Sequence, residues 1–179
     1  RFVLSWTPGT VYERLDDALV ERVHGPRTES SPALPLVAIV HRANERWESA
    51  ARTYTALVAT YDDGTPARAL ADYYAGQAFA RQGDPTSAED HLLVAQDSLR
   101  ELAESGRPGA DFFMELSRMS VLELAIAHAQ ADDVGAAIGW LEVAVEELGI
   151  PARAALEQVA RNPWLAPLRG DARLDSLGK

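Results

Sequence analysis

A chain of 179 residues, 47% hydrophobic and 25% charged, has the length of one domain and the composition of a globular protein with a real core. Cysteine is absent, which excludes a disulfide scaffold, a thiol nucleophile, an iron–sulfur cluster and a thiolate zinc site. A formal charge of −10, from 17 basic against 27 acidic residues, argues against nucleic-acid binding through a basic surface. No apolar run approaches the ~20 residues of a membrane span, and the start lacks the basic-then-apolar form of a signal peptide. The expectation is a cytoplasmic chain that meets no membrane.

Residues 1–10 begin without methionine and alternate weakly, with Phe2, Leu4 and Trp6 on one side. They read as a short strand or as the cut end of a longer polypeptide, with Trp6 marking contact with a region upstream. Thr10 and Glu13 form a capping box, in which each side chain satisfies an orphan backbone donor. Val11, Leu15, Ala18, Leu19 and Val23 then make one apolar helical face, and His24 sits near the end of that helix, facing its dipole. Gly25-Pro26 stops it, and a polar loop runs to residue 33. Residues 1–33 are therefore expected as an N-terminal segment with one helix, the end of an upstream region, and residues 34–179 as the main domain.

Further helices are predicted at 34–43, 46–61, 66–82, 86–105, 111–131, 134–148 and 151–162. Thr65 caps the third of these, with Pro66 at the first helical position, where its missing N–H costs nothing. Asp111 is the expected cap of the fifth. Gly83-Asp84-Pro85 reads as a tight turn, and Asp62-Asp63-Gly64 and Asp132-Asp133 as others. Short connections make neighbouring helices antiparallel, so the prediction is all-α, a succession of helical hairpins.

Self-comparison reveals a repeat. Three second helices share an apolar spacing: Ala50, Tyr54 and Leu57; Ala88, Leu92 and Ala95; Ala137, Leu141 and Ala144. Twelve residues upstream of each lies a small residue, Ala38, Gly76 or Ala125, with a ring three further on, His41, Phe79 or His128. Where two helices cross closely only Gly or Ala fits, and bulkier residues fill the space toward the next hairpin. The units are unevenly spaced, and the extra residues fall around 60–66 and 99–111.

This pattern resembles the tetratricopeptide repeat, best over Ala75-Gly76, Phe79, Gly83, Ala88, Leu92 and Ala95, with Asp72 where that family has tryptophan. Residues 162–177, from Asn162-Pro163-Trp164 through Pro167-Leu168-Arg169 to Leu177, look like the closing segment of many bacterial tetratricopeptide proteins. The resemblance implies a right-handed α-solenoid of antiparallel hairpins over 34–179. Residues 162–179 form its cap, with Trp164, Leu165, Leu168, Leu174 and Leu177 covering the last hairpin and Arg169, Asp171 and Arg173 in water. It further implies the C-terminal part of a larger bacterial signalling or regulatory protein.

Chemistry-bearing motifs are few. No HExxH, Walker loop, G-x-S-x-G or G-x-G-x-x-G occurs, and the four histidines show no helical metal spacing. Adjacent carboxylates such as Asp16-Asp17 and Glu146-Glu147 read as turns and solvated helix faces. Trp47, Trp140 and Trp164 read as core, and Gly139 inside a helix as a site of close helix approach. No catalytic residue, cofactor or metal site is expected.

What remains is a surface. First helices of such an array line a concave groove, and its outward positions are expected at Arg42, Asp72, Tyr73, Gln77, Arg81, Glu115, Arg118 and Glu123. The function read from this is a non-enzymatic protein-interaction or scaffold module holding a peptide or partner helix of neutral to basic charge. An enzyme or ligand-sensing domain with a closed small-molecule pocket is the alternative. Homo-oligomerisation through residues 1–24 is a third reading.

Overall fold

The computed structural model describes residues 34–177, and among them every regular element is helical. Seven α-helices follow in order: α1 Leu34–Ala43, α2 Trp47–Thr60, α3 Pro66–Gln82, α4 Pro85–Glu104, α5 Ala110–Gln130, α6 Val134–Glu146 and α7 Ala152–Arg161. Two 3-10 segments close the described chain, Pro163–Leu168 and Ala172–Ser176. The expected strand at 1–10, the capping box of Thr10 and Glu13, and His24 lie outside the described residues.

Local chemistry sets the boundaries. At the start of α3 the Thr65 hydroxyl accepts the Arg68 N–H, and Pro66 needs no partner. At its end Gly83 takes a left-handed conformation, φ 69°, open to glycine without strain. There the Gly83 N–H donates to the Ala80 carbonyl and the Asp84 N–H to that of Phe79, the double bond of a Schellman turn. Asp84 then caps α4 by accepting the Ser87 N–H, so three residues stop one helix and begin the next. The start of α5 differs from expectation. Gly109, φ 89°, precedes it with no side-chain cap, and Asp111 lies inside the first turn, where its charge favours the helix dipole.

Each helix packs on its chain neighbour, and α3 also packs on α5, which gives an all-α solenoid of antiparallel hairpins: α1–α2, α3–α4 and α5–α6. The small residues stand where the repeat requires. Ala38, Ala50, Ala75, Ala88, Ala125, Ala137 and Ala144 have no exposed surface. A Cβ placed on Gly76 would lie 2.5 Å from Leu92 Cγ and 3.1 Å from the Leu92 backbone nitrogen. The extra residues between units lengthen α4 and α5.

Two apolar clusters result. The first joins Ala38, Ala50, Ala51, Tyr54, Leu57 and Val58 to Ala71, Ala75 and Ala78 of α3. The second runs from Ala69 and Tyr73 through Leu92, Leu99, Leu124, Ile138 and Leu141 to Leu165 and Leu168. Helix α3 is the shared wall, buried on both sides.

The tail caps the array as expected, with Leu165, Leu168, Leu174 and Leu177 buried. Trp164 packs partly buried on the same core and makes one contact beyond it. Its ring meets Trp47 edge to face at 6.1 Å, so it reaches back to the first described hairpin. Arg169 is exposed yet donates to the carbonyls of Val159 and Asn162, pinning the cap to α7. Gly139 departs from expectation: nothing lies within 4 Å of a Cβ built there, so no close helix approach accounts for it.

Candidate functional site

The eight expected groove residues divide into three groups. On α3 a stripe of Ala67, Leu70, Tyr74, Gln77 and Arg81 faces the open side, at the spacing of one helical face. Gln77 and Arg81 belong to it. Asp72 and Tyr73 do not, for they are 2% and 3% exposed and turned toward the protein interior. Tyr73 belongs to the second core, so the accessible tyrosine of the groove is its neighbour Tyr74. Counting back from Arg81 and Gln77 by three and four gives Tyr74 and Leu70, a signal present in the sequence. The Ala-rich α3 obscured it, because small residues surround the helix on nearly every side.

Asp72 spends both oxygens on neighbours. Arg68 Nε donates to one at 2.9 Å, and His91 Nδ1 of α4 lies 2.8 Å from the other. The His91 ring is stacked on Phe79, 5.7 Å between centroids and 6° from parallel. Glu123 is also inward, 2% exposed, because α5 turns it toward α3. Arg81 grips it with both terminal nitrogens, and the Gln77 amide donates to it at 2.7 Å. Removing one partner of such a buried pair leaves an uncompensated charge, a loss of about 3–5 kcal/mol. Trp164 lies over the Arg81 guanidinium at 5.3 Å, and the Gln130 amide donates to the Trp164 carbonyl. These groups fasten helices to one another, Asp72 joining α3 to α4 and Glu123 joining α5 to α3.

Glu115 and Arg118 are exposed. They border a cleft of about 240 Å³ between α5 and the α6–α7 connection, together with Met119, Leu122, Ile150 and Gln158.

Arg42 stands beside a second cleft, also about 240 Å³, enclosed by α1, α2 and α3. Its walls are Pro35, Ile39, Tyr54, Leu57, Leu70 and Tyr74, with Tyr61, Ala67 and Ala71 completing them. It exists because α1 packs on α2 without reaching α3 closely, whereas α3 and α5 pack directly. Arg42 lies over the Tyr74 ring, 3.9 Å from its centroid. The Tyr54 hydroxyl is buried behind the wall and has no hydrogen-bond partner among the described residues. Burial pushes its pKa up to about 12, opposed by the Arg42 charge. Tyr73 is pushed up further, by burial and then by Glu123. Both phenols therefore stay neutral, and the orphan at Tyr54 costs about 1–3 kcal/mol.

No described helix is long and apolar enough to cross a membrane. Residues 38–103, which reach from α1 into α4, match the family described as tetratricopeptide repeat. Comparison with curated proteins and with solved structures yields no significant match.

Proposed function

We propose, taking the chain as tetratricopeptide-repeat-like, that it is a non-enzymatic interaction module holding a peptide or partner helix along the face of α1, α3 and α5. The observation that carries this is the open face itself. The stripe from Ala67 to Arg81 runs between two clefts on a floor stiffened by the Arg81–Glu123 pair. A rigid surface with separated pockets suits an extended segment that anchors a side chain at each end. The family match over the first two hairpins supports the same reading, since repeats of this kind serve protein–protein contact. The likeness of residues 162–177 to bacterial closing segments supports a place within a larger regulatory polypeptide.

The test is selection of binders from a random dodecapeptide library displayed on phage, using the full chain as bait. Enriched peptides are expected to shift backbone amide resonances of α1, α3 and α5. An absence of enrichment, or shifts confined to α2, α4 and α6, overturns the proposal.

A further inference from the structure

We infer that the cleft between α1, α2 and α3 receives an acidic partner segment, whose bulky apolar side chain enters beside Ile39 while an adjacent carboxylate pairs with Arg42. This rests on the interaction reading above and specifies the partner at one of its two clefts.

Among the described residues, Arg42 is set apart from Arg68 and Arg81 by having no carboxylate. Arg68 pairs with Asp63 and Asp72, and Arg81 with Glu123. All three cations are half-buried, yet among the described residues Arg42 has only the face of Tyr74. A guanidinium held flat on a ring keeps its planar fork of donors free at the edges, and that fork fits a carboxylate. Among the described residues, no acidic side chain lines the adjoining cleft. The count of −10 for the whole chain predicts a neutral to basic partner. At the cleft the charge that stands over the wall is the Arg42 guanidinium, and screening over about 8 Å at physiological salt weakens the effect of distant carboxylates on it.

The apolar half of the site is adjacent. Ile39 lies three residues before Arg42 on α1, so their side chains are neighbours on one helical face. Ile39 is 40% exposed and Leu36, one turn earlier, 46% exposed, a strip of hydrocarbon left in water. The cleft's 240 Å³ falls below the range of about 300–1,000 Å³ typical of small-molecule sites. It is the size of one anchoring side chain. Apolar pocket and unpaired cation thus stand side by side, and the ligand that satisfies both carries hydrocarbon next to negative charge.

The experiment uses the peptides selected on the full chain, resynthesised with a fluorescein label. Enriched sequences are expected to place Asp or Glu within two positions of Leu, Met, Phe or Trp. Fluorescence anisotropy should show about tenfold or greater weakening by Arg42→Gln and by Ile39→Glu. Arg42→Lys should retain part of the affinity and Arg107→Glu, exposed in the α4–α5 connection and lining neither cleft, nearly all of it. Neither position 39 nor 42 is fully buried, and circular dichroism confirms that each variant keeps its fold. Peptides lacking acids, or peptides indifferent to both substitutions, overturn the inference. If those same peptides fail on Arg118→Glu, the interaction reading survives with its anchor at the other cleft. If no peptide is enriched, both fall.

Discussion

The two cores of this molecule are built from different materials. Around α1 and α2 the contact is made largely by alanines with Tyr54, Leu57 and Val58, and an open cleft remains beside it. From α4 to the cap the contact is made by Leu92, Leu99, Leu124, Ile138, Leu141, Leu165 and Leu168, all nearly without exposed surface. Apolar burial stabilises in proportion to area, and an alanine seam brings helices close while covering little of it. The contrast separates tasks. The leucine-rich core holds the array together, while the alanine-rich end leaves Leu36 and Ile39 exposed beside a cleft.

The largest expected effect lies where α3 meets α5. Glu123→Ala should destabilise by about 3–5 kcal/mol in chemical denaturation, because Arg81 is left charged and sandwiched beneath Trp164. A loss below 1 kcal/mol would place the pair in solvent and erase the rigid floor. Next is Gly76→Leu, which overpacks the α3–α4 crossing against Leu92 and should cost about 1–3 kcal/mol. Melting like the parent would remove the hairpin assignment.

The alanine-rich end should respond in the opposite sense. Tyr54→Phe removes a buried hydroxyl that has no partner among the described residues and should stabilise by about 1 kcal/mol in calorimetry. A lower melting temperature would mean that the hydroxyl is satisfied in solution. The smallest effect belongs to the cap. Hydrogen bonds from the Arg173 side chain and backbone hold Asp171 at about 2, below its ordinary 3.8. A depressed carboxylate stabilises above its unfolded pKa and loses that contribution as the pH falls through the folded value. The difference in melting temperature between the parent and Asp171→Asn should therefore be constant near neutrality and narrow from about pH 4 toward about pH 2. A constant gap would detach Asp171 from Arg173.

Much of the architecture was legible because its determinants are local. Thr65-Pro66 and Gly83-Asp84-Pro85 carry their own capping chemistry, so α3 and the start of α4 follow from neighbouring residues alone. The recurrence of Ala50, Ala88 and Ala137 located the crossings, since steric exclusion acts on every unit alike. The start of α5 was misplaced because a glycine with positive φ performs there what Asp111 was expected to do.

The candidate site was legible only in part. Glu115 and Arg118 are exposed and Arg42, Gln77 and Arg81 partly so, whereas Asp72, Tyr73 and Glu123 turn inward. Periodicity fixes which residues share a face, whereas the rotation of that face is fixed by what packs around the helix. For α3 three neighbours decide it, and one of them, α5, comes nearly thirty residues later in the chain. The contact of Trp164 with Trp47 spans still more sequence, and no local pattern encodes it.

That edge-to-face pair also bears on how the array can change. Stacked repeats are ordinarily modular, each unit answering only to its neighbours, so that copies can be gained or shed one at a time. Here the tryptophan after α7 touches the one that begins α2, tying the cap to the first described hairpin. Inserting or deleting a hairpin between them would part the two rings, so this pair ties the units from α2 to the cap together, and their melting should be concerted rather than unit by unit.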